Sequence, residues 1–297
     1  LQYRRLSLVL NEKAGALLAG GRTQDLTDRL SQGGARLRII PPGDLPDRLR
    51  DARAEADAVV VAGGDGTIAC AAAALEDTGM PLGILPAGTM NLLAKDLHLP
   101  IGQLTEAAGI ILAGHTRDVD VGRVDGHVFL CACMLGAPTR LGHHRETNRR
   151  AGPWRQWVGF ARAAFRTLRR RRSQRLTITV DGAVHTIRTP SLTITVNPVD
   201  DGRGRLFARS RLDGGKLCAY VIRRHTMLDL VRVMLRIAAG NTRDPALLVL
   251  EGTAITIEAP TPALLVLIDG EERLLAAPLS FTIKPGALRV FAPAPAA

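Results

Sequence analysis

Aromatic residues are scarce in this 297-residue chain, at 3%. Modules that read RNA or single-stranded DNA stack bases on aromatic side chains, so nucleic acid is not an expected partner. Cysteine is scarcer still. Cys70, Cys131, Cys133 and Cys218 lie inside apolar segments without the pair spacing of a metal site, which predicts buried, reduced thiols and a cytoplasmic setting. No apolar run approaches the roughly eighteen residues needed to span a bilayer, and no signal-peptide pattern is present. Any membrane association is therefore expected to be peripheral. Walker A and GxGxxG sequences are both missing, which argues against P-loop and dinucleotide-dehydrogenase chemistry. Acidic residues fall short of basic ones, leaving a net charge of +11, so the surface should attract anions such as nucleotides or anionic lipid headgroups.

What is present is organised in two parts. Up to about Arg117, short apolar runs at Leu6–Leu10, Leu37–Ile40, Ala58–Val61 and Leu82–Leu85 alternate with helical patterns at Gln24–Ser31, Leu45–Ala54, Ile68–Glu76 and Leu104–Ala113. This predicts an α/β N-terminal domain with a doubly wound parallel sheet over residues 1–117. Beyond it, period-two alternation dominates, including Leu-Thr-Ile-Thr-Val twice, at Leu176–Val180 and Leu192–Val196. Asp181-Gly182 supplies a hairpin turn to a strand at Ala183–Arg188. Further strands are expected at Lys216–Ile222, Ala254–Glu258, Leu264–Ile268 and Ser280–Ile283, with a helix over Thr226–Ala239. Residues 118–285 therefore read as a mainly antiparallel β-sandwich.

Two glycine turns stand out in the first part. Gly63-Gly64-Asp65-Gly66-Thr67 follows an apolar strand and opens an alanine-rich helix, and Pro86-Ala87-Gly88-Thr89-Met90-Asn91 repeats the arrangement before a helix at Leu92–Leu97. Glycines allow close backbone approach, and a helix N-terminus offers N–H groups to anionic oxygens. Two such turns at the ends of parallel strands point to a phosphate site. Asp65 places a carboxylate inside it, suited to a cation or a proton; the plain alternative is a helix cap.

With Leu10-Asn11-Glu12-Lys13-Ala14-Gly15 before these turns, and Val119-Asp120-Val121-Gly122, Leu212-Asp213-Gly214-Gly215-Lys216 and Ile268-Asp269-Gly270-Glu271 after them, the chain resembles the diacylglycerol kinase catalytic domain family. That family includes bacterial lipid kinases and sphingosine kinases, and shares GGDGT with NAD kinases. The resemblance implies an ATP-dependent lipid kinase that uses Mg²⁺ and acts on a diacylglycerol-like or sphingoid lipid. It also implies that a final strand, at about residues 286–293, returns to the first domain.

Phosphoryl transfer needs a held nucleotide, a cation on its oxygens and a carboxylate for the acceptor hydroxyl. Asn11, Gly15, Gly63, Gly64, Gly66, Thr67, Gly88, Thr89 and Asn91 are the nucleotide-cleft candidates, several of which also suit simple turns. The resemblance gives Asp65 and Asp120 to the metal and Asp269 to the general base, with Glu271 beside it and Asp65 as the alternative base. Read without the resemblance, Asp269-Gly270 is a hairpin turn. Two positions depart from the family pattern. Leu92 stands where many bacterial relatives carry an acid, with Asp96 a helical turn further on, and Glu12 replaces a usual proline.

Both tryptophans fall in the stretch from Trp154 to Leu168, where Trp154, Trp157, Val158, Ala161, Phe165 and Leu168 share one helical face, with Arg155, Arg162, Arg166 and Arg169 beside it. Such a helix suits an anionic membrane surface or packing on the sandwich. His143-His144 lacks ligand spacing and reads as a solvated loop. Two rival functions stay open: an NAD-kinase-type enzyme, and a non-catalytic lipid-binding relative. Oligomeric state is open as well, a homodimer included.

Overall fold

The computed structural model describes residues 3–11, 22–32, 36–40, 44–136, 174–200, 208–223 and 247–294. They form two compact units. Residues 1–121 and 284–297 make the first, and 122–283 the second. The helices expected from Trp154 and from Thr226 lie outside the described residues.

In the first unit, β1 (Arg5–Leu10), β2 (Arg36–Ile39), β3 (Ala58–Gly63) and β4 (Leu82–Pro86) pair in parallel in the order β2-β1-β3-β4, with Leu8 opposite Val60 and Val60 opposite Gly83. Helices α1 (Arg22–Gln32), α2 (Leu45–Ala54), α3 (Asp65–Leu75), α4 (Leu92–Asp96) and α5 (Leu104–Ala113) connect and follow the strands. Val59, Val60 and Val61 are all fully buried. Because successive strand residues point to opposite faces, both faces of β3 must be covered. On one face, Leu26 and Leu30 of α1 and Ala107, Ala108 and Ile111 of α5 share a core with Leu6, Leu8, Ala58, Val60 and Ala62. Helices α2 and α3 pack on each other, and both lie against β3.

Burial, not surface charge, holds this arrangement. Each buried leucine contributes about 1.5–3 kcal/mol, while exposed pairs such as Arg5–Asp57 contribute about 0–1 kcal/mol. Helix α5 crosses closely at Gly83, where a Cβ would stand 2.8 Å from Ile111 Cδ1 and would have to displace that side chain.

The second unit is antiparallel throughout. One layer is ordered β12 (Leu247–Gly252), β11 (Leu217–Ile222), β10 (Ser191–Val196), β7 (Ala132–Gly136), β14 (Ala263–Ile268) and β15 (Glu271–Ala276). The other pairs β9 (Ala183–Thr189), β8 (Gln174–Val180), β13 (Ala254–Glu258) and the first part of β16 (Leu279–Phe291). Leu176, Ile178, Ile255, Ile257 and Phe281 of this layer share one core with Ile194, Ala219, Val266 and Ile268 of the first. That shared core makes the unit a sandwich.

The chain passes between units inside two strands, β5 (Thr116–Val124), which pairs with β6 (His127–Phe129), and β16. The separate strands expected at Ser280–Ile283 and at about residues 286–293 are one strand of 13 residues running through Pro285-Gly286. Its end does return to the first unit, with Val290 parallel to Leu82. All four cysteines are free; Cys131, Cys133 and Cys218 are buried as expected, whereas Cys70, on α3, is only partly buried.

Candidate functional site

Helix α3 begins three residues earlier than the apolar pattern suggests, so Asp65, Gly66 and Thr67 are its first turn and not a loop before it. Its N-cap is Gly64, which has no side chain to satisfy the first-turn N–H groups. A serine or aspartate cap would close that position; glycine leaves it to an anionic ligand.

The two glycine turns touch backbone to backbone. A Cβ on Gly88 would fall 2.5 Å from Gly64 Cα and 2.8 Å from Asn91 Oδ1, and one on Gly63 would fall 2.6 Å from Thr67 Cβ. The glycines are therefore required by contact, beyond any freedom of backbone angle. Gly88→Ala is expected to destabilise the protein by about 1–3 kcal/mol as the turns are forced apart. A denaturant titration checks this, and an unchanged midpoint would show that the turns separate without cost.

Asn91 organises the second turn. It adopts a left-handed conformation at φ 49° and is 1% exposed. Its Oδ1 accepts the Gly88 N–H at 3.0 Å and its Nδ2 donates to the Gly88 carbonyl at 2.8 Å. Asp65 then joins the turns, with Oδ2 accepting the Asn91 N–H at 2.9 Å and Oδ1 the Leu92 N–H at 2.6 Å. The carboxylate thus caps α4 and not its own helix. Burial pushes its pKa above the ordinary carboxylate value, and the Leu92 and Asn91 amides oppose this only in part. Asn11, past the end of β1, donates from Nδ2 to Thr67 Oγ1 at 2.6 Å.

Asn11, Gly63 to Thr67, Gly88 and Asn91 are accordingly brought together in the first unit, where Thr89 is exposed at the turn. Gly15 and Glu12 lie outside the described residues. Asp120 is 3% exposed, and its Oδ1 accepts the Gly286 N–H at 2.8 Å. Asp96 is also buried.

Among the described residues no three His, Cys, Asp or Glu side chains gather as a metal cage. A Mg²⁺ ion that arrives on nucleotide phosphates needs only one or two carboxylates from a protein, and Asp65 and Asp120 are the buried or half-buried carboxylates the sequence nominated.

The second unit holds Asp269 at the β14–β15 turn, in a left-handed conformation at φ 45° and 6% exposed. Its Oδ2 accepts the Leu130 N–H at 2.6 Å, and its Oδ1 accepts those of Cys131 at 2.9 Å and Ala132 at 2.8 Å. Asp269 is thus both a hairpin residue and a buried carboxylate in a nest of amides. Burial raises its pKa, against the pull of the three amides and of Arg209. Glu271 is different, being exposed and paired with Arg273 at 3.4 Å. Sequence reasoning passed over Arg209, which is 3% exposed within a polar stretch that has no motif.

Comparison with known proteins gives concordant results. A family model described as the diacylglycerol kinase catalytic domain matches residues 5–124, and one described as the YegS C-terminal NAD kinase beta sandwich-like domain matches residues 138–292. Diacylglycerol kinases of Staphylococcus aureus strains Newman and COL are each 23% identical over 277 residues, covering 90% of this chain and 86% of theirs. A crystal structure of a diacylglycerol kinase from Bacillus anthracis str. Sterne aligns with a TM-score of 0.74 at 19% identity, over 99% of this chain and 98% of that one. Yeast NADH kinase, solved with NADH, aligns with a TM-score of 0.52 at 11% identity, over 99% and 84%. At these identities the structural likenesses establish the fold.

Proposed function

The chain belongs to the diacylglycerol kinase catalytic domain family, with the YegS-type C-terminal sandwich, and from that premise we propose that it transfers the γ-phosphoryl group of ATP to a hydroxyl of a diacylglycerol-like or sphingoid lipid. The observation that carries the reading is the pair of contacting glycine turns with Asp65 between them and a side-chain-free N-cap on α3.

In this reading the phosphates lie against the first turn of α3, with Asn11 and Thr67 at the edge. Asp65 and Asp120 would hold Mg²⁺, which supplies charge neutralisation at the phosphate oxygens when bound. Asp269 accepts the proton of the lipid hydroxyl as that oxygen forms its bond to phosphorus, and ADP leaves with the electrons of the broken bond.

Lipid acceptors reside in membranes, and no helix among the described residues is long and apolar enough to cross one. The net charge of +11 favours an anionic surface as the place of encounter. The test is to incubate the purified protein with labelled Mg-ATP and vesicles containing diacylglycerol, monoacylglycerol, sphingosine or ceramide, with NAD in a parallel reaction. Label should pass to one of the lipids. Label in NADP alone would assign an NAD-kinase activity, and label in neither product would leave a binding protein.

A further inference from the structure

Arg209 binds at least three groups of the second unit. Its Nη1 donates to the carbonyls of Leu130 at 2.8 Å and Val196 at 2.6 Å, and its Nη2 donates to Cys131 Sγ at 3.2 Å. A buried guanidinium is costly to desolvate, so what it holds in place needs explaining.

The carbonyl of Leu130 and the N–H of Cys131 belong to one planar peptide group and point in opposite directions. Arg209 binds the oxygen of this group, and Asp269 binds its hydrogen. The plane cannot turn without losing both bonds. The adjoining amides of Leu130 and Ala132 also donate to Asp269. A carboxylate oxygen has two acceptor positions. Oδ1 fills both with Cys131 and Ala132, whereas among the described residues Oδ2 has only Leu130.

We propose that Arg209 is a positioning residue for phosphoryl transfer, pinning the Leu130–Cys131 peptide so that Asp269 presents only Oδ2 to the acceptor hydroxyl. This rests on the reading of Asp269 as proton acceptor. The hydroxyl proton passes to Oδ2, the acceptor oxygen bonds to the γ-phosphorus, and the bond to the bridging oxygen breaks with its electrons leaving on ADP.

Among the described residues, the ionisable groups near Asp269 include Arg209, Cys131 and Cys133 on the segment that Asp269 binds, and Glu271 and Glu272 on β15. Of these, Arg209 is the cation that favours the ionised carboxylate. Arg209→Gln removes that charge and releases the peptide, so ionisation becomes harder and the acid limb of the kcat profile should move up by about one pH unit. The same variant should lower kcat by about tenfold or more with KM for ATP unchanged.

Arg209→Lys keeps the charge without the two-armed reach. It should lose rate with a smaller shift of the limb, and it decides the matter if the glutamine variant does not fold. Asp269→Asn is run alongside. If that variant is impaired while both Arg209 variants keep the wild-type kcat and limb, the positioning role is overturned and the proton acceptor stands. If Asp269→Asn itself turns over normally, the premise has failed.

Discussion

Asp65→Asn is expected to lower phosphoryl transfer per folded molecule by about two to three orders of magnitude, the cost typical of removing one preorganised charge-stabilising group. The same change must also weaken the fold. An asparagine offers one oxygen where the aspartate offers two, so either the Asn91 or the Leu92 N–H would face an amide NH₂. An unsatisfied donor in this half-buried place costs about 1–3 kcal/mol. The two effects separate if turnover at saturating ATP is normalised to the folded fraction measured by circular dichroism. A variant that only melts earlier, with near-normal normalised turnover, would make Asp65 a tie between the two glycine turns and nothing more.

Asp269→Asn should lower kcat by about 10²–10⁴-fold, the range expected of a general base, while the KM for ATP changes little. Asparagine tolerates the left-handed backbone that Asp269 occupies at φ 45°, but its NH₂ would face either the Leu130 N–H or those of Cys131 and Ala132, so turnover is again normalised to the folded fraction. The pH profile supplies a second check. Burial holds the Asp269 pKa above its ordinary value, and only the ionised form accepts a proton. The acid limb of kcat should therefore lie above the usual carboxylate range in the wild type. Normal turnover in the folded variant would return Asp269 to a hairpin and nest residue, with Asp65 as the remaining candidate base.

Both carboxylates could be picked from the sequence, but their partners could not. Asp65 was visible because a charged residue between glycines at a strand end is conspicuous. Its bonds to Asn91 and Leu92 reach 26 and 27 residues ahead, and a local pattern carries no information about which amides will close on a side chain. The Asp269 nest spans 137 to 139 residues. Arg209 lies further still from recognition, because an arginine in a polar stretch reads as solvated until the fold buries it.

The architecture of the first unit was the part that sequence alone determined. Parallel strands buried on both faces must be apolar runs, so Val59–Val61 and Leu82–Leu85 announced themselves, and helices α2 and α5 fell at their expected bounds of Leu45–Ala54 and Leu104–Ala113. These signals are local, set by side-chain period and by the turn residues at either end. Tertiary structure decided the rest. Pro285-Gly286 reads as a break, yet β16 continues through it because its two parts find different partners, Thr282 against Ala254 and Val290 against Leu82. Short β6 and β7 show no clear alternation over His127–Gly136 and are defined by pairing with β5, β10 and β14. The glycine turns were legible as turns, but that Gly88 must be glycine follows only from its backbone meeting that of Gly64. A contact between residues 24 positions apart is decided by how the strands beneath them pair.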